Sequence, residues 1–226
     1  MPVHHNSADE KLAPPPGGTR VAWRGIVQHI GVQKGSNPAL RQLLLLRHAK
    51  SLWDDPKLSD HARPLNARGR TSARAMRLKM HELRLVPDLV LVSSARRTLQ
   101  TLEALSPWDK PPLVEPLDAL YLASARSMLD VLHDVVETAR SVMLIGHNPG
   151  MHELAMLLVG AQALTRNGKV AHGHFDPPDL LAKLSEGYPT GALAEFSITG
   201  PWQTLGEGGG RLEHFLVPRD LPDFMT

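Results

Sequence analysis

The chain is predicted to fold as an α/β protein of three layers (α/β/α): a mostly parallel sheet with helices on both faces and an antiparallel edge strand. Three observations predict this. First, LLLL at 43–46, LVLV at 89–92 and VMLI at 142–145 are aliphatic runs of strand length without polar alternation, the pattern of strands buried on both faces. Second, each run is followed by a stretch of helical periodicity, and strand alternating with helix means parallel strands joined by crossovers. Third, GALAEFSI at 191–198 and LEHFLV at 212–217 alternate apolar and polar residues, as an antiparallel hairpin does.

Taken in order, residues 1 to 38 read as a tail, with PPPGG at 14–18, GSNP at 35–38 and a short strand or helix at 21–30. Residues 39–226 form the folded domain. Its first strand, 43–46, leads into a loop and then a helix over 67–84, with Ala73, Met76 and Met80 on one face. Strand 89–92 precedes a helix running to about 105 through Leu99, Leu102 and Leu105, with Ser93 and Ser94 supplying its cap. A short strand at 113–115 and a helix at 125–138 follow. After strand 142–145 comes a helix at 151–159 bearing Met151, Leu154, Ala155 and Leu158. Residues 160–190 read as an insertion or flap, and the glycine-rich 206–210 as the turn of the closing hairpin. The insertion holds His172, His174 and Asp176, too few ligands on their own for a metal site.

Composition narrows the function classes. A chain of 226 residues has material for one domain with a sizeable core, and the absence of cysteine excludes disulfides, thiolate catalysis and Cys-ligated metals. No apolar run is long enough to span a membrane, and the N-terminus lacks the apolar stretch of a secretory signal, so a cytoplasmic protein is expected. Residues 41–100 carry 13 Lys/Arg against 5 Asp/Glu, whereas 101–226 carry 8 against 16. Nucleic-acid binding is one reading of that asymmetry. A basic rim around an anionic substrate is the preferred one, because Arg63, Arg68, Arg70, Arg74 and Arg77 have no aromatic residues interleaved.

The chemistry lies at the strand exits, where ligands of open α/β sheets bind. The first run ends in Arg47-His48: arginine forks onto phosphate oxygens, and a neutral imidazole attacks phosphorus. A polar strand exit is the plain alternative. The second leads to Arg96-Arg97 at a helix N-terminus, where anions gather and arginines are unfavourable unless an anion offsets them. Two solvated arginines fit the same residues. The third delivers His147 through the turn Gly146-His147-Asn148-Pro149-Gly150, and alone it would read as a structural histidine. Three such exits are hard to explain by packing.

The motifs RHAKSLWD (47–54), RPLNARGR (63–70), VSSARRTLQTL (92–102) and IGHNPG (145–150), in that order, resemble the histidine phosphatase superfamily, the phosphoglycerate mutase-like group. Within it the chain is most similar to the SixA-like phosphohistidine phosphatases. The resemblance spans roughly residues 41 to 200. It implies that His48 is the phosphate-accepting nucleophile and that Arg47, Arg97 and His147 complete the phosphate pocket, with Ser51 a further phosphate ligand. Arg97 is preferred to Arg96 because the family's arginine stands three residues before the glutamine of a Gln-Thr pair, here Gln100-Thr101. The chain departs from the family pattern in Ala49, where glycine is usual, and in Asp54, where many relatives carry asparagine. No general acid is plainly marked. Asp118, in EPLDALYLAS (115–124), is the candidate, and a helix cap is its alternative.

The implied reaction is phosphoryl transfer to neutral His48 followed by hydrolysis, with Arg47, Arg97 and a protonated His147 stabilising charge. No cofactor is implied, because the two arginines supply the charge that Mg²⁺ gives elsewhere. The expected partner is a protein carrying phosphohistidine or a small phosphorylated metabolite, with neither nucleic acid nor membrane involved. A phosphoryl-binding module without turnover remains a third reading.

Overall fold

The computed structural model describes residues 40–160 and 178–222. The chain runs β1 (Arg41–Arg47), α1 (Ala67–Glu82), β2 (Leu89–Ser93), α2 (Arg96–Ala104), β3 (Leu113–Leu117), α3 (Ala125–His133), β4 (Ser141–Gly146), α4 (Gly150–Val159), α5 (Pro178–Glu186), β5 (Leu193–Ile198) and β6 (Gly210–Leu216). The six strands form one sheet in the order β3-β2-β4-β1-β5-β6. β3, β2, β4 and β1 pair in parallel, and β5 runs antiparallel to both of its neighbours.

Why the three aliphatic runs lack polar alternation is plain from the layers. Successive strand residues point to opposite faces, and here both faces are covered. Leu43 and Leu45, Leu89 and Leu91, and Val142 and Leu144 join one core, with Met128 and Leu132 of α3, Leu154 and Leu158 of α4, and Leu181 and Leu184 of α5. Leu44 and Leu46, Val90 and Val92, and Met143 and Ile145 join the other, with Met76 and Met80 of α1. Burying each such side chain contributes about 1.5–3 kcal/mol. β3 is different: as an edge strand it exposes Leu113 and Val114 and tolerates Pro116, which has no N–H to give.

Several expectations need correction. The helix expected over 125–138 ends at His133, and the chain then turns so that Val135 and Ala139 enter the core. The span expected as an insertion contains α5, whose leucines seal one sheet face; its residues 161–177, including His172, His174 and Asp176, lie outside the described residues, as do 1–39. The link from β5 to β6 is longer than a glycine turn, with a 3₁₀ turn at Trp202–Thr204 that buries Trp202. The cap position of α2 falls on Ala95, which has no polar side chain to bond with, and the two serines expected there bond to other groups: Ser93 Oγ to His147 and Ala95 N, and Ser94 Oγ to His61.

Candidate active site

Register brings the three strand exits together. β1 and β4 are parallel neighbours with Arg47 opposite Gly146, so His48 and His147 leave the sheet at one level. β4 pairs with β2, Ile145 opposite Val92, which sets Ser93 alongside. From β1 the chain crosses to β2 on one side and later reaches β5 on the other, and such a reversal opens a crevice at the carboxyl ends of the strands.

In that crevice the rings of His48 and His147 lie 5.1 Å apart, centroid to centroid. His48 Nδ1 donates to the Ala49 carbonyl at 2.8 Å, which fixes the tautomer and leaves Nε2 with its lone pair. His147 Nδ1 lies 3.2 Å from Arg97 Nη2 and must accept, since guanidinium only donates. Its Nε2–H therefore donates to Ser93 Oγ at 2.8 Å, and the ring is neutral. Arg97 is 4 % exposed; its Nη1 donates to the Asp60 carbonyl at 2.6 Å and its Nη2 to Asp60 Oδ2 at 2.9 Å. The Tyr121 hydroxyl donates to the same carboxylate oxygen at 2.8 Å, with its ring edge-on to His147. Arg47 is held through Nη1 by the Tyr188 carbonyl at 2.7 Å, while its buried Nε has no partner among the described residues. Burial, and then the charge of Arg97, lower the pKa of Arg47. Among the described residues no three His, Cys, Asp or Glu side chains converge for a metal ion.

The polar motifs hold the His48 loop in place. Asn66 caps α1 by accepting from Gly69 N at 2.7 Å, and its own N–H donates to Lys50 O at 3.0 Å. Gly69 packs so closely that a Cβ there would sit 2.1 Å from Lys50 O. Thr101 Oγ1 accepts from Ala49 N at 3.0 Å and donates to Arg97 O at 2.7 Å, and Gln100 Oε1 accepts from Leu65 N at 2.7 Å. The Gln-Thr pair thus ties α2 to the loop. Ala49 is no liability, for it is not among the positive-φ residues and its methyl packs with Leu65 and Ala73. Gly69→Ala should consequently cost at least ~2 kcal/mol, because a backbone carbonyl cannot step aside cheaply. It should also disturb the position of His48. Denaturant unfolding checks the first, and an unchanged midpoint would show that the loop yields freely.

Residues 43–117 match the family described as "Histidine phosphatase superfamily (branch 1)". Among solved structures, SixA from Agrobacterium tumefaciens, an inferred phosphohistidine phosphatase, is 30% identical, covering 79% of this chain and 98% of its own at a TM-score of 0.62. The chain belongs to the histidine phosphatase superfamily. The inferred phosphohistidine phosphatase SixA of Nakamurella multipartitia is 29% identical, covers 79% of this chain and 96% of its own, and has a TM-score of 0.65, which places this histidine phosphatase in the SixA-like branch. An uncharacterised protein of Mycobacterium tuberculosis is 29% identical over 174 residues, 77% of this chain and all of its own.

Of the residues assigned to the phosphatase site from sequence, Arg47, His48, Arg97 and His147 come together, and Arg96 is exposed while Arg97 is buried. Asp118 does not join them. It is exposed at the start of a 3₁₀ turn, and the carboxylate whose charge both histidines feel is that of Asp60. Nor does Asp118 cap the next helix; Ser124 does, accepting from Ser127 N. Ser51 is buried, but its backbone bridges to Leu65, and among the described residues its hydroxyl makes no hydrogen bond to the four. Sequence reasoning missed Asp60, Tyr121 and Tyr188. The signal for Tyr121 stood three residues past Asp118, and Asp60 stood three before Arg63-Pro64.

The neutral state of both histidines has a pH consequence. Burial brings His48 down to about 4, against its Ala49 hydrogen bond and with help from Arg97 and Arg47. Burial, then His48 and Arg97, bring His147 down to about 3. Unfolded histidine titrates near 6.5. As pH falls below about 6.5, the unfolded chain binds protons that the native pocket refuses, so stability drops on acidification towards 4 and is flat in this respect above about 7. Thermal unfolding across that range should show the slope. It should be shallower in His147→Gln, and an unchanged slope there would assign the protons elsewhere.

One chemical capacity follows. The pocket presents an imidazole lone pair beside two guanidinium groups, which suits attack on an electron-poor phosphorus with its oxygens clamped. The protonated His147 expected from sequence is replaced by a neutral ring that accepts from Arg97.

Proposed function

We propose that this histidine phosphatase hydrolyses phosphohistidine in proteins through a covalent intermediate on His48. The observation that carries this reading is the free Nε2 of a buried, neutral His48 beside Arg47, Arg97 and His147. In the first step the Nε2–P bond forms as the bond to the substrate's ring breaks; that ring, already protonated on its other nitrogen, takes the bonding pair and leaves as neutral imidazole. In the second, a water oxygen bonds to phosphorus and its proton passes to solvent, the Nε2–P bond breaks with its pair returning to Nε2, and inorganic phosphate departs. Arg47 and Arg97 bind the non-bridging oxygens in both steps. Their charge takes the part that a divalent metal plays in other phosphoryl-transfer sites.

The choice of phosphohistidine rests on the absence of a poised acid among the described residues of the pocket. Burial raises the Asp60 carboxyl, but the Tyr121 hydroxyl and Arg97 outweigh it and hold the group below its usual range, so it stays ionised. A departing alkoxide needs a proton in the transition state, whereas imidazole is a better leaving group on a labile P–N bond.

The test is a substrate panel in EDTA: p-nitrophenyl phosphate, a phosphohistidine-bearing protein, and simple alkyl phosphates. Turnover of the first two with little of the third is expected. Efficient alkyl phosphate hydrolysis without action on phosphohistidine would make the enzyme a small-molecule phosphomonoesterase. No turnover at all, with phosphate still bound, would make it a binding module.

A further inference from the structure

Asp60 stands between two arginines. Its Oδ2 is 2.9 Å from Arg97 Nη2, and its Oδ1 is 3.8 Å from Arg63 Nε. Arg63 is unusual in its own right. Its side chain is only 18% exposed and its guanidinium lies 3.8 Å from the centre of the Trp53 ring, yet its buried Nε and Nη1 have no hydrogen-bond partner among the described residues. Buried donors are nearly always satisfied, so two orphans on one guanidinium call for an explanation.

Arg97 poses the complementary question. Guanidinium has five N–H donors, and three of those of Arg97 serve the Asp60 carbonyl, the Asp60 carboxylate and His147 Nδ1. The Nη2 that faces His147, where a phosphoryl group touching both residues must bind, already carries a carboxylate. Asp60 is the anion best able to give way there, since its side chain is 42% exposed and sits on a loop, whereas the backbone carbonyl of the same residue stays put.

We infer that Asp60 is a stand-in for the substrate's phosphoryl group: on anion binding its carboxylate leaves Arg97 Nη2 and closes onto the unpartnered Nε and Nη1 of Arg63. The exchange rests on the reading of Arg97 as a phosphate ligand. It keeps the charge of Arg97 compensated before the anion arrives, and it keeps Asp60 compensated afterwards. Tyr121, whose hydroxyl donates to the same Oδ2, is released by the move and becomes a donor for the incoming oxygens. Arg63 and Asp60 are positioning residues in this scheme and touch no reacting atom.

The experiment measures inhibition by inorganic phosphate, competing with p-nitrophenyl phosphate, in the full chain and in Asp60→Asn, Arg63→Gln and the double variant. Asn keeps the shape but not the charge, so Asp60→Asn should bind phosphate about three- to tenfold more tightly, the strength of a partly exposed ion pair. Arg63→Gln should weaken phosphate by a similar factor in the wild-type background. In the Asp60→Asn background its effect should shrink to less than about twofold, the residue of screened long-range charge. Weaker phosphate binding by Asp60→Asn would mean that Asp60 only braces Arg97, and would overturn the exchange. An undiminished Arg63 effect in the double variant would place Arg63 on the anion itself, with the same consequence. Asp60→Asn decides the sign alone should Arg63→Gln not fold. Wild-type enzyme neither active on p-nitrophenyl phosphate nor inhibited by phosphate would overturn the reading of the pocket, and the exchange with it.

Discussion

His48→Ala should abolish turnover, by ~10⁴-fold or more, because removal of a covalent nucleophile leaves only binding and charge stabilisation. The fold should survive. His48 lies past the end of β1, its backbone N–H donates to Gly146 O at 3.1 Å whatever the side chain, and the loop is held by Ala49, Lys50 and Gly191 contacts. Circular dichroism and thermal melting should therefore resemble wild type, with the low-pH stability slope reduced by the loss of one suppressed titration. Quenching wild type during turnover should trap a phosphoenzyme labile in acid and stable in base, as a phosphoramidate is. The competing hydroxyls are Ser93, whose Oγ accepts a hydrogen bond from His147 Nε2–H, and Ser51, which is buried against Leu65. A base-labile, acid-stable adduct on either serine would overturn the assignment.

The strands were legible because both faces of the sheet are covered. Burial on two sides removes alternation, and LLLL, LVLV and VMLI can then be little else. The arginine or histidine at each exit was legible for a related reason, since a polar or charged residue just after a buried strand has few places to go but the sheet's edge. Register was not legible. Nothing local in the sequence says that Arg47 pairs with Gly146, and that pairing is what turns three exits into one site. The 52–64 loop was opaque because it has no period to read, and Asp60 acquires meaning only once Arg97 and Tyr121 are folded against it. Tyr188 was missed similarly. It follows α5 in a span that resembled an insertion, yet its hydroxyl donates to Leu45 O at 2.6 Å and its carbonyl seats Arg47. The charge of His147 was misjudged because a tautomer depends on its partners, and Arg97 was not known to donate to it.

Arg97→Ala should lower turnover by ~10²–10³-fold, the usual loss when a preorganised donor to a transition-state charge is removed, whereas Arg96→Ala should change it by less than about twofold. The two neighbours open the same helix, but only Arg97 is buried; Arg96 is exposed, and its structural contribution, N–H to His61 O at 3.0 Å, is made by the backbone. Removing Arg97 strips Asp60 and His147 of their common donor and relieves both His48 and His147 of a charge that holds their pKa values down. The variant should accordingly show histidine titration shifted upward, towards the ordinary range, in NMR. Arg97→Lys separates charge from geometry. Lysine keeps the positive charge but cannot donate to Asp60 and His147 from one planar fork, so an intermediate loss is expected, carried mainly by kcat if the fork acts in the transition state. Equal and small effects from Arg96→Ala and Arg97→Ala would mean that the phosphoryl group does not reach Arg97. The buried guanidinium would then be a strut between α2 and the 52–64 loop, and the clamp would have to be sought at Arg47 alone.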